Sequence, residues 1–175
     1  ANPSSVHQSG RAARAVVEKA REQVGGAIGS RAADILFTSG GTEALALAIQ
    51  GAVVALDGKA VLIVSAIEHE AAGKAAAHAG VPVETACVGA DGRVDLADLA
   101  ARLARWDLPA RGTPILVLML ANNETGIVQP VAEAAALVRE AGGLTVCDAV
   151  QGFGKVQANA ALLGACLLYT SDAAD

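Results

Sequence analysis

Along the 175 residues, continuous apolar runs alternate with stretches in which apolar positions recur every three or four residues. "AVLIVS" (60–65), "PILVLMLA" (114–121) and "LTVCDA" (144–149) carry almost no polar position, the pattern of strands buried on both faces. Two more strands are expected at "DILFTS" (34–39) and "VPVETACV" (81–88). Between the strands the helical period runs over 6–28, 42–56, about 68–79, 94–106 and 131–142. Ser4 or Ser5 is placed to cap the first helix, Gly25, Gly26 or Gly29 stands near its end, and Gly142 and Gly143 end the last. The helix "TEALALAIQGAVVAL" (42–56) is apolar nearly all round, which predicts burial. Buried strands alternating with helices pair in parallel through crossovers, so the fold class is α/β: three layers, with a mostly parallel sheet between helices. No internal repeat, linker or second domain is visible.

Composition narrows the function classes. At 53% apolar residues the chain has ample material for a core, and with only 2% aromatics that core must be Ala, Val, Leu and Ile. Few aromatics also argue against base-stacking platforms, and Lys and Arg are scattered under a net charge of −5. Neither nucleic acid nor a membrane surface is expected as a partner. The uncharged stretch 44–56 is shorter than the roughly 18 apolar residues of a spanning helix. Cys87, Cys147 and Cys166 lie far apart without a C-x-x-C pair, which fits a reducing compartment, the cytoplasm by default. "ANPSSVHQSG" has neither a signal-peptide pattern nor an initiator Met, and reads as a chain entered partway through.

In α/β sheets ligands sit beyond the C-terminal ends of the strands, which directs attention to "SGGTE", "ANNETG" and "DAVQ". Gly40, Gly41 and Thr42 open a helix with amides and a hydroxyl, suited to a phosphate; a tight turn with Thr42 as an ordinary cap explains the same residues. Neither G-x-x-x-x-G-K-[ST] nor G-x-G-x-x-G occurs, so the common nucleotide motifs are excluded. Asp148 ends an apolar strand, where a carboxylate is costly unless it meets a cation or donors, such as a protonated ring nitrogen. The plainer reading makes it a helix cap, with Gln151 completing a capping box. Alternation turns Cys147 to the opposite face, into packing. Asn122 and Asn123 are open to turn chemistry or to a pocket. His69 follows the 60–65 strand, able to stack on a flat ring or move a proton. Gly73 breaks the H-E-x-x-H zinc pattern, and no metal site is expected. His78 is read as a surface residue, and His7 as capping or packing. Three polar loops at one sheet edge describe a pocket for a phosphorylated heteroaromatic molecule.

The segments "NPSSVHQSGRAAR", "FTSGGTEALALAI", "EHEA", "NNETGIVQPV" and "DAVQGFGKV" together resemble the cysteine desulfurase branch of the class V aminotransferase family, fold type I enzymes that use pyridoxal 5'-phosphate. The resemblance spans residues 1–165 and implies part of the family's large cofactor-binding domain. It implies that Gly41 and Thr42 hold the cofactor phosphate, that His69 stacks on the ring as the catalytic histidine, and that Asp148 pairs with the ring nitrogen. Gln151 and Asn123 would reach the phenolic oxygen. The implied activity removes sulfur from L-cysteine, leaving L-alanine, and passes it as an enzyme persulfide to an acceptor protein for iron–sulfur clusters or thio-cofactors. A homodimer is implied as well.

One departure qualifies this. Where the family runs from "LGAD" through an apolar strand into Ser-x-His-Lys, this chain reads "LGACLLYTSDAAD". Ala173 and Ala174 stand where His and Lys are expected, and none of Lys19, Lys59, Lys74 or Lys155 occupies the motif that attaches the cofactor. The persulfide cysteine has no counterpart here either. The chain itself is therefore expected to be inactive, and 166–175 reads as a tail of doubtful origin. Another class V enzyme, a selenocysteine lyase or a small-amino-acid aminotransferase, shares these motifs. A noncatalytic scaffold domain of the same fold is the alternative from outside the enzymes.

Overall fold

A computed structural model describes residues 2–171. In chain order the elements are α1 (Gln8–Ile28), α2 (Gly41–Ala55), β1 (Ala60–Ser65), α3 (Glu70–Ala77), β2 (Val83–Ala86), α4 (Leu96–Leu103) and α5 (Leu108–Arg111). They continue with β3 (Thr113–Met119), α6 (Val131–Glu140), β4 (Leu144–Asp148), α7 (Ala160–Leu163) and β5 (Leu167–Tyr169). The five strands form one sheet in the order β2-β1-β3-β4-β5, every pair parallel.

The apolar runs produce this sheet because successive side chains point to opposite faces and both faces are covered. Leu62, Val64, Ile115, Val117 and Val146 meet Leu45, Ile49, Ala52 and Val53 of α2 and Ala72 and Ala76 of α3. Ile63, Leu116, Leu118 and Cys147 turn to the other face, against Leu99 and Leu103 of α4, Val131, Ala134 and Val138 of α6, and Leu163 of α7. Each fully buried Leu or Ile contributes about 1.5–3 kcal/mol over its exposed state. The α/β class and its three layers follow, and Cys147 is a packing residue.

Several local expectations are corrected. Residues 34–39 form no strand: Ala32–Asp34 is one 3-10 turn, and the following extended residues pair with no sheet edge, leaving Leu36 and Phe37 at 66% and 44% exposure. β-branched and aromatic character without a partner strand does not make a ladder. α2 is not buried all round, since Leu47 and Val54 are 48% and 75% exposed. Only one stripe of a helix on an outer layer can face the sheet. The expected helix over 94–106 ends at Leu103, and Asp107 caps the separate turn α5 through Ala110 N–H (3.1 Å). The N-cap of α1 is His7, exposed and without a side-chain capping bond, in place of Ser4 or Ser5, and Gly29 closes the helix in the left-handed conformation. The segment read as a tail supplies β5, through Leu167, Leu168 and Tyr169 paired to β4.

Candidate cofactor site

The sheet register brings the candidate loops to one edge. Val64 lies beside Val117, Val117 beside Val146, and Met119 beside Asp148, so β1, β3 and β4 release their loops next to one another. Two bonds stitch the first two loops together: the Met119 amide donates to Glu68 Oε1 (2.7 Å), and Asn122 Nδ2 donates to the Ile67 carbonyl (3.0 Å). The N-terminus of α2 arrives at the same edge. A Cβ on Gly41 would stand 3.6 Å from Val150 Cγ2 and 3.7 Å from Ser171 Cβ and Oγ.

At that helix start the amides of Gly41, Thr42 and Glu43 precede Ala44, whose amide makes the first helical bond, to the Gly40 carbonyl, and they have no acceptor among the described residues. The cap position belongs to Gly40, so Thr42 is not the N-cap; its side chain is exposed and without a hydrogen-bond partner among the described residues. A Cβ on Gly40 would meet nothing within 4 Å, so the approach to these amides is open. Glu43 folds back onto Ser39, the residue just before the cap; the Ser39 amide and hydroxyl donate to Oε2 (2.6 and 2.7 Å) and hold the carboxyl below its usual range.

Asp148 is 7% exposed; its Oδ1 accepts from the Val150 amide (2.9 Å) and its Oδ2 from the Tyr169 hydroxyl (2.6 Å). Turns, not a helix, follow it directly, so the helix-cap reading fails, and Gln151 completes no capping box: its Oε1 accepts from Lys155 Nζ (3.0 Å). His69 is the exposed N-cap of α3, its Nδ1 accepting from the Ala71 amide (3.2 Å). An accepting Nδ1 puts the neutral ring's proton on Nε2, the outward nitrogen. The two asparagines divide their labour. Asn122 is structural, its Oδ1 accepting from the Glu124 and Thr125 amides, while Asn123 is exposed and without a side-chain partner among the described residues. His78 caps the end of α3 at the surface, as expected.

The structure thus brings Gly41 against Val150, two residues past Asp148, and Ser171, just past β5, and stitches the loop of His69 to that of Asn123. It shows no hydrogen bond between any two of the six candidates among the described residues. Sequence reasoning passed over Glu68. Burial pushes its carboxyl up to about 8, with Asp148 adding repulsion and the Met119 amide opposing the rise. The one available signal was an acid immediately after an apolar strand and before His69. Positions 173 and 174, where the family places His and Lys, lie outside the described residues.

The sequence profile of class V aminotransferases matches residues 1–172. The chain belongs to the class V aminotransferase family. Members of this family depend on pyridoxal phosphate. Among its similar relatives are a cysteine desulfurase IscS of Dictyoglomus turgidum, 36% identical over 97% of this chain, and a cysteine desulfurase of Cereibacter sphaeroides, 41% identical over 89% of it. The chain spans only 43% and 40% of those two relatives. A NifS-like protein of Rickettsia africae superposes with a TM-score of 0.84 at 32% identity, over 97% of this chain and 46% of that one. In this chain helices cover both faces of the sheet. Among the described residues no helix is long and apolar enough to cross a membrane, and no cluster of three metal-ligating side chains occurs.

Proposed function

We propose that this chain carries part of the pyridoxal-phosphate site of a cysteine desulfurase, the whole of which takes sulfur from L-cysteine, leaves L-alanine and hands the sulfur as a persulfide to an acceptor protein. The observation that carries this reading is the meeting at one sheet edge of free helix amides at Gly41 and Thr42 with a loop that begins at a buried carboxylate, Asp148. The donor set fits the two ends of the cofactor. Amides at a positive helix terminus suit a phosphate dianion, and a desolvated carboxylate suits a protonated ring nitrogen. Asn123 and Gln151 would hold the phenolic oxygen, and His69 would stack on the ring. When bound, the cofactor supplies an electron-accepting ring for bond breaking at the α-carbon of an amino acid. The residues of this chain bind and orient it, and Asp148 keeps the proton on the ring nitrogen.

Residues 1–165 make up the partial cofactor domain of this reading, β5 completes its sheet beside β4, and a homodimeric cytoplasmic enzyme is its setting. With Ala174 at the place of the attaching lysine, the chain holds the cofactor noncovalently and does not turn over cysteine. The test is calorimetric titration of the chain with pyridoxal phosphate against Asp148→Asn and Asp148→Ala, with thermal melts as folding controls. A charge-assisted hydrogen bond of about 1.5–3 kcal/mol predicts a Kd raised roughly 10- to 100-fold. Equal affinity in folded variants removes Asp148 from this role.

A further inference from the structure

Glu68 is a half-buried acid, with one carboxyl oxygen fully buried, that the cofactor reading leaves without a task. Its Oε1 accepts from the Met119 amide on β3 (2.7 Å), and its Oε2 is buried with no partner among the described residues. It belongs to the loop that leads from β1 to His69, and it lies near enough to Asp148 for the two carboxyls to repel. An ionised Glu68 would place charge on a buried atom with no donor among the described residues, beside a second acid. A proton on Oε2 removes that charge while Oε1 keeps its bond to β3.

We propose that Glu68 is a positioning residue: its protonated carboxyl clamps the loop of His69 to the end of β3, so that the loops bearing His69 and Asn123 are held as one unit beside Asp148. The Asn122 bond to the Ile67 carbonyl is the second point of the same clamp. Other groups facing Glu68 do not share its titration. Cys147 on β4 and Tyr169 on β5 are both pushed up by burial, well above the neutral range, which leaves Asp148 as its charged neighbour, with His69 next along its own loop. Raising the pH through about 8 takes the proton from Glu68 and puts charge on the unpartnered Oε2 beside Asp148, and that repulsion, working against the Oε1 bond to Met119, loosens the clamp. The purpose given to the clamp rests on the cofactor reading above; its existence does not.

The experiment uses the whole chain, isotope-labelled, with Glu68→Gln and Glu68→Ala. Without cofactor, NMR follows the amide signals of 67–71 and 122–125 and the exchange protection of Met119 between pH 6 and 9.5. In the wild type both loops are expected to shift together with a midpoint near 8 as Met119 loses protection. Glu68→Gln, neutral and of the same shape, keeps Met119 protected throughout and abolishes the shared transition; Glu68→Ala lowers protection at least tenfold even at pH 6. In pyridoxal phosphate titrations at pH 7, Glu68→Ala weakens binding about five- to tenfold and Glu68→Gln less than twofold. A transition that persists in Glu68→Gln, or a Glu68→Gln that behaves as Glu68→Ala, overturns the proposal. If Glu68→Ala fails to fold, the comparison of wild type with Glu68→Gln decides. Clamp signatures without cofactor binding in the wild type sink the cofactor reading alone, whereas normal binding in all variants with Met119 unchanged sinks the clamp alone.

Discussion

Between pH 4.5 and 8 the wild-type chain is expected to lose several kcal/mol of folding stability, and Glu68→Gln is expected to lose almost none of it. The carboxyl of Glu68 sits near 4.5 in the unfolded chain and near 8 when folded. A folded pKa raised above the unfolded one means the folded state binds the proton more tightly. The associated stability is therefore complete below 4.5 and declines as the pH rises toward 8. At roughly 1.4 kcal/mol per pH unit, the window between those values amounts to about 4–5 kcal/mol, an appreciable share of the roughly 5–15 kcal/mol of an ordinary domain. Asp34, Glu43 and Glu70 act with the opposite sign, their carboxyls being held low by Arg31, Ser39 and Lys74, but all three are fully exposed and screened by solvent. Urea unfolding across this range measures the slope. Glu68→Gln should flatten it and overtake the wild type above neutrality; an unchanged slope would assign the titration to another group.

Gly112→Ala is expected to reduce stability by about 4 kcal/mol or more, although it adds one methyl far from the cofactor edge. Gly112 has φ +83° and ψ −175°, a region costing a residue with a side chain roughly 1–3 kcal/mol. Its new Cβ would also stand 2.5 Å from the carbonyl carbon and oxygen of Lys59 and 2.9 Å from the Ala60 nitrogen. Those are backbone atoms and cannot rotate away. The Lys59 carbonyl accepts from the Thr113 amide (2.9 Å) where β1 and β3 begin to pair, so relief means prying apart two central strands. The Gly112 carbonyl in turn accepts from Trp106 Nε1 (2.8 Å), anchoring the only tryptophan. Equilibrium denaturation followed by Trp106 fluorescence gives the loss directly, and a change below about 1 kcal/mol would show that this turn yields more readily than its geometry allows.

The sheet edge was legible where chemistry and local pattern coincide. Asp148 at the end of "LTVCD" and the glycines before α2 are readable because an acid or a glycine pair at an element boundary is unusual in itself. Glu68 was not legible, since one acid before a histidine is an ordinary surface pair until the sheet order is known. β1 and β3 are neighbours, although α3, β2, α4 and α5 lie between them in the chain, and that adjacency buries Glu68 between the Met119 amide and Asp148. Residues 34–39 show the converse, with strand-like composition and no partner strand.

The sequence by itself determined the α/β class, the three central strands and the helices between them, because burial on both faces and on one helical stripe writes its period into the residues. It also determined the family, through motifs whose order along the chain is their signature. Only the tertiary structure decided which strands are neighbours, which side of α2 meets solvent and which carboxyl is deprived of water. Those depend on contacts between segments distant in the chain, and local periodicity carries no record of them.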